Sequence, residues 1–124
     1  AFEEVLADRV RVLGDDHPDT LTTRHHLAHW RGQAGDAAGA AAALQELLTD
    51  QNRVLGEDHP YTLTTRHNLA HWRGQTRDTS GAEAAFEEVL ADRVRVLGDD
   101  HPDTLTTRRY LAHWHGKAGE TPLA

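Results

Sequence analysis

The sequence predicts an all-α protein, a solenoid of antiparallel helix pairs. Three observations carry this reading. Leu13-Gly14-Asp15-Asp16-His17-Pro18 returns as Leu55-Gly56-Glu57-Asp58-His59-Pro60 and as Leu97-Gly98-Asp99-Asp100-His101-Pro102, a period of 42 residues. Each copy is followed by Thr-Leu-Thr-Thr-Arg and then by Leu-Ala-His-Trp. Between copies, apolar residues recur at helical spacing. A fixed period of this length marks stacked supersecondary units, none of which can bury its apolar face alone.

Each unit reads as two helices, A and B. Helix A starts at the His-Pro step. Proline suits a first helical position, where no N–H is needed, and it pushes the residue before it into the extended region of an N-cap. In the middle copy helix A runs from Pro60 to Gly74, with Leu63, Leu69, Ala70 and Trp72 on one half of the wheel. Gly32, Gly74 and Gly116 mark where it weakens. The turn passes through Ala34-Gly35-Asp36 or Thr76-Arg77-Asp78. Helix B runs from Ser80 to Leu97, with Phe86, Val89, Leu90, Val94 and Leu97 as its inward stripe and Glu87, Glu88 and Arg95 facing water. Ser80 reads as its N-cap, and the glycine of the next turn as its C-cap.

The frame is shifted. The chain opens in a B helix (Ala1 to Leu13) and closes after an A helix (Pro102 to Lys117), giving six helices in the order B-A-B-A-B-A. A single repeat domain over 1–124 is expected, divided into a half repeat at 1–13, repeats at 14–55 and 56–97, and a half repeat with a tail at 98–124. Residues 1–24 are identical to residues 85–108, which points to recent duplication within a longer array.

Composition narrows the function classes. The formal net charge is −7, and phosphate contacts demand clustered Lys and Arg, so nucleic acid is not an expected partner. No apolar run approaches the roughly 18 residues of a membrane helix, and the amphipathic start with Glu3, Glu4 and Asp8 does not read as a signal peptide. Without cysteine there is no disulfide or thiol chemistry. A cytoplasmic setting is the default expectation. The dominance of arginine (Lys117 is the sole lysine) and of alanine fits a GC-rich bacterial genome.

These residues and motifs resemble the tetratricopeptide repeat in its 42-residue form. The Leu-Gly-x-Asp-His-Pro turn and Asn68-Leu69-Ala70 are similar to the kinesin light chain version and to arrays attached to bacterial STAND-type regulators. Leu69-Ala70 stands where the family has Leu-Gly. Ala82 and Phe86 match its small and aromatic positions, and Pro60 its closing proline. The resemblance covers essentially the whole chain and implies a right-handed solenoid that binds protein or peptide in a concave groove. Two departures stand out. Arg24, Arg66 and Arg108 take a position usually filled by Trp or Leu, and Arg31 and Arg73, with His115 in the third copy, take the Tyr position. The wheel places these in the apolar half. Buried guanidinium needs a partner, so carboxylates are expected beside them: Asp8, Asp50 and Asp92, or Asp36 and Asp78. The alternative is stems that snorkel to wet heads.

The resemblance implies that the polar face of helix A lines the groove. The candidate groove residues are Thr22, His25, His26 and His29 in the first copy, Thr64, His67, Asn68, His71 and Gln75 in the second, and Arg109, Tyr110 and His113 in the third. A histidine-lined groove would gain positive charge below about pH 6.5; with all 10 histidines protonated, net charge would move from −7 to +3. The alternative is a solvated polar face without a binding role. His25/His29 and His67/His71 are i, i+4 pairs that share a helix face. No third ligand or His-Glu-x-x-His pattern completes a metal site, so neither a metal nor another cofactor is expected. His17, His59 and His101 read as capping residues of the turn, and Trp30, Trp72 and Trp114 as core or inter-repeat packing. No catalytic constellation emerges, and an enzyme is not expected.

An array needs capped terminal faces. Phe2, Leu6 and Val10 at one end, and Leu105, Leu111 and Trp114 at the other, are candidates for head-to-tail association into a homo-oligomer. The leading reading is a non-enzymatic interaction scaffold that also self-associates through its repeat ends. The alternatives are a purely structural self-assembling module and a pH- or metal-responsive segment of a larger bacterial regulator.

Overall fold

A computed structural model describes residues 4–6 and 17–120, with side chains described to residue 116. Five helices follow in order: α1 (Pro18–Gln33), α2 (Ala37–Val54), α3 (Pro60–Gln75), α4 (Thr79–Leu97) and α5 (Pro102–Glu120). Residues 4–6 are also helical. They belong to the expected Ala1–Leu13 helix, the rest of which lies outside the described residues. Each helix packs on the next in sequence, and α3 also touches α5. The fold is the expected all-α solenoid, with α1, α3 and α5 as its A helices.

The three His-Pro turns act as caps in the same way. His17, His59 and His101 offer Nδ1 to the backbone N–H two residues on, at 3.1, 3.1 and 3.0 Å. A histidine N-cap works here because Pro at the first helical position leaves the next N–H as the first donor to satisfy. The B helices are capped differently. Asp36 accepts from Gly39 N at 2.8 Å and Asp78 from Gly81 N at 3.1 Å. The N-cap of α4 is therefore Asp78 and not Ser80, which lies inside the helix and is exposed. Aspartate wins because its side chain already sits one residue before the first helical φ/ψ and reaches the third N–H. Gly56 and Gly98, with φ of 92° and 96°, turn the chain out of the B helices as expected.

The core forms between consecutive helices. Leu21, Ala28, Leu44, Leu47, Leu69 and Trp72 make one cluster, and Ala70, Ala82, Phe86 and Trp114 another. Burying a side chain such as Phe86 contributes about 1.5–3 kcal/mol. Successive A helices lock through tryptophan and glycine. The six-membered ring of Trp72 lies on Gly32, and that of Trp114 on Gly74, so closely that a Cβ added to either glycine would meet the ring at 2.5 Å. The tryptophans thus act as inter-repeat packing residues in two copies. Trp30, the third, is 53% exposed.

The arginines of the Thr-Thr-Arg segment are paired. Arg24 reaches Asp50 at 2.6 Å and Arg66 reaches Asp92 at 2.7 Å, each arginine side chain about one-fifth exposed. Both carboxyls are held below the usual range, first by the hydrogen bond from that arginine. Arg108 instead meets Asp99 of the preceding turn at 2.7 Å. Asp8 lies outside the described residues. The second arginine set is not buried: Arg31 and Arg73 are exposed, as is His115, and Arg73 meets Asp78 at 3.2 Å. Their position directly follows the tryptophan of helix A, at the surface, where His115 Nδ1 lies 3.2 Å from Glu83 of α4.

Candidate functional site

The face of the A helices is the expected groove, and its residues separate into lining and core. Thr22, His26, His29, Gln75, Arg109 and His113 are exposed, and His25, Thr64, Asn68, His71 and Tyr110 are partly buried. His67 is the exception and a correction. At 5% exposure it belongs to the core, its ring set edge-on against Phe86 and Tyr110 at 5.0 and 4.6 Å and its Nδ1 3.2 Å from Thr107 Oγ1. Tyr110 closes over it from α5, so a residue that reads as groove-facing on one wheel becomes inter-repeat filling. Burial, then Arg93, then His71, pushes the His67 pKa down to about 3.

The remaining groove residues are linked across repeats. Asn68 Nδ2 lies 3.0 Å from His25 Nε2. His29 meets the Trp72 ring at 6.5 Å, and His71 the Tyr110 ring at 5.7 Å. His29, His71 and His113 form a row at the repeat spacing. His71 feels its neighbours in that row: burial first, then His113 and His29, lower its pKa. Burial also leads the lowering at His25, followed by His26 and His29. His25, His67 and His71 are therefore each held neutral to a lower pH than a free imidazole. Among the described residues no three His, Cys, Asp or Glu side chains converge as metal ligands.

Two cavities open on this face. One, of about 250 Å³, is bounded by His71, Arg109, Tyr110 and His113. The other, of about 200 Å³, lies between α1, α2 and α3, and its walls include Leu21, Thr22, His25, His26, Gln51 and Tyr61. Gln51 is 4% exposed, and its Oε1 is buried without a hydrogen-bond partner. Helix-wheel reasoning did not single out Gln51. Nor did it single out Arg93, its counterpart one repeat later, which is 3% exposed. The available signal was the difference itself: Gln51 and Arg93 occupy one repeat position in otherwise similar copies.

Of the end residues, Leu105 is 44% exposed, whereas its counterparts Leu21 and Leu63 are 2% and 0% exposed. Leu111 is partly buried against the Phe86 cluster. Trp114, 3% exposed, is committed to Gly74 and unavailable as an end surface. Leu6 is partly buried and borders a crevice with Leu27 and Ala28. Phe2 and Val10 lie outside the described residues.

Stacked helix pairs with a histidine-bearing A-helix face define a helical repeat protein of the interaction-scaffold class. The family model of the tetratricopeptide repeat matches residues 1–19, 20–61 and 62–103. The chain belongs to the tetratricopeptide repeat family. Among solved structures it is similar to a Podosopora anserina protein described as a kinesin light chain with nearly identical TPR-like repeats, at a TM-score of 0.84 and 27% identity. A single-substitution variant of that protein aligns at a TM-score of 0.83 and 27% identity. Each alignment covers 95% of this chain and 56% of the other, so the chain spans little more than half the length of these relatives. No curated protein matches the sequence. Tetratricopeptide repeats generally mediate protein–protein interaction and serve as non-catalytic scaffolds. Among the described residues no helix is long and apolar enough to cross a membrane.

Proposed function

We propose that the chain binds an extended peptide segment along the face of α1, α3 and α5, without catalysis. The observation that carries this reading is the pair of cavities on that one face, one beside His25 and Tyr61 and one beside His71 and Arg109. Concave sites with apolar walls and a few polar groups are the usual form of a binding surface. Exposed His29, and His113 at the edge of the second cavity, supply ring nitrogens for a peptide backbone. The test is a peptide library displayed on phage, panned against the chain and against a His29→Ala/His71→Ala/His113→Ala variant. Peptides that bind the first and lose at least about tenfold on the second, about 1.4 kcal/mol, support the reading. Equal capture by both, with circular dichroism unchanged, refutes it.

A second reading, association between repeat ends, is favoured by the outer face of α5. Leu105 is exposed there, and a Cβ at Gly116 would meet nothing within 4 Å, where Gly32 and Gly74 each carry a tryptophan. That surface fits another A–B pair, supplied by a second copy. Light scattering behind size exclusion tests it. A mass above 13.8 kDa that falls to the monomer with Leu105→Asp supports association, and a monomer at every concentration refutes it.

A further inference from the structure

We propose that the pocket between α1, α2 and α3 receives the guanidinium group of an arginine carried by the bound peptide. The inference rests on the peptide-binding reading of the groove. The pocket carries an internal control, because among the described residues the same site is built twice and filled once.

The filled copy belongs to Arg93. Its guanidinium is buried among neutral acceptors. One terminal nitrogen donates to Thr107 Oγ1 at 2.7 Å and to the Asp103 carbonyl at 3.0 Å, and the other to Thr64 Oγ1 at 3.1 Å. One repeat earlier the matching residues are Gln51, Thr65, Tyr61 and Thr22. The frame is retained: Thr65 Oγ1 donates to the Tyr61 carbonyl at 3.1 Å, as Thr107 Oγ1 does to the Asp103 carbonyl at 3.2 Å. The occupant is not retained. Glutamine is shorter than arginine and brings no cation. Where it stands there is a cavity of about 200 Å³, bordered by all four of these residues.

The chemistry of the lining selects the guest. Gln51 Oε1 lacks a donor, and a buried acceptor left unpaired costs about 1–3 kcal/mol. Thr22 and Thr65 add hydroxyl oxygens, and Tyr61 adds its carbonyl. A guanidinium offers five N–H donors and no acceptor, and so complements such a set. Leu21 and Leu55 suit its methylene stem. Asp103, which favours the cation in the filled copy, is replaced by Tyr61, whose ring is 58% exposed. An aromatic face is the other common companion of a guanidinium. The formal charge of −7 draws a cationic segment toward the chain.

The test is a titration of the isotope-labelled 124-residue chain, followed by NMR. The probes are acetyl-arginine methylamide and its citrulline analogue, which keeps the shape and lacks the charge. Saturable shifts at the Gln51 side-chain amide and the Thr22 and Thr65 backbone amides are expected with arginine, and binding at least about tenfold weaker with citrulline. Gln51→Arg plugs the pocket with the residue used one repeat later and should abolish the shifts. Thr22→Val, at an exposed position, should weaken them several-fold with the fold intact. Equal response to both probes, or arginine binding unchanged in Gln51→Arg, overturns the assignment. Display-selected peptides that still bind Gln51→Arg and fail on the triple histidine variant would then show the groove standing without this pocket. Arginine shifts that persist when no peptide survives panning would show the reverse.

Discussion

Alanine at Gly74 and at Gly116 should move stability in opposite directions, although both glycines hold the same repeat position inside an A helix. At Gly74 the new Cβ would lie 2.5 Å from the Trp114 ring. Trp114 is 3% exposed and cannot yield in place. The helix must shift or the indole must leave, and overpacking of this kind costs about 1–3 kcal/mol. Alanine returns about 0.5–1 kcal/mol through backbone entropy. The net loss is about 1–2 kcal/mol. At Gly116 no atom lies within 4 Å of the added methyl, so only the gain of about 0.5–1 kcal/mol remains. The entropy gain is common to both, so the two variants should differ by the overpacking cost, about 1–3 kcal/mol, or about 4–12 °C in Tm for a chain of this size. Urea and thermal unfolding by circular dichroism measure the difference. Tryptophan emission should shift red in Gly74→Ala alone as the indole becomes wet. A Gly74→Ala chain as stable as Gly116→Ala would refute the ring-on-glycine account of repeat stacking.

Other outcomes follow from the same structure. His67 has a folded pKa pushed down to about 3 from 6.5. The unfolded chain therefore takes up a proton that the folded chain refuses, and stability falls as pH drops from 6.5 towards 3. At pH 5 this one group should cost about 2 kcal/mol relative to pH 7.5, measured by urea midpoints, and His67→Phe should flatten the profile; an unchanged slope would place the titration elsewhere. Arg93→Leu removes three hydrogen bonds, to Thr107, Thr64 and the Asp103 carbonyl, while Thr107 keeps its own bond to that carbonyl, so unfolding free energy should drop by about 2–4 kcal/mol, whereas Arg95→Ala, exposed and paired with Asp58, should stay within about 1 kcal/mol of the parent. His59→Ala should lose about 1 kcal/mol and His59→Asn much less, because the cap needs an acceptor aimed at Tyr61 N; equal losses in thermal melts would mean that the ring matters only for packing.

The A helices were legible because each begins at a His-Pro step and repeats at a fixed interval, and the B helices because apolar residues recur at helical spacing between those steps. Carboxylate partners for Arg24 and Arg66 were legible too, since a charge on an apolar wheel face has few ways to persist. What failed was the split between groove and interior. His67 and Asn68 are neighbours on one polar arc, yet His67 is buried because Tyr110 arrives from the next repeat. A wheel sees one helix and knows nothing of the helix two elements away. The same limit explains Leu21 and Leu105, which share identical flanking sequence and differ from 2% to 44% exposure. The pocket at Gln51 escaped notice for a further reason. A buried glutamine in a B helix looks ordinary until the Arg93 copy shows what it omits.

The kinship of the repeats also bears on how the chain finds its own register. Residues 1–24 and 85–108 are the same text. An A helix that docks against the wrong one of these two stretches meets the side chains it was built for, within one molecule or across two. Nothing in such a mismatched seat repels it. The middle copy alone carries Gln51 and Tyr61 where its neighbours carry Arg and Asp. Seated one place out, it would set Gln51 beside Asp103 or leave Arg93 facing Tyr61, and Arg93 would lose the nearby carboxylate that favours its cation. Gln51 and Tyr61 are thus among the positions that set the middle unit apart from its neighbours.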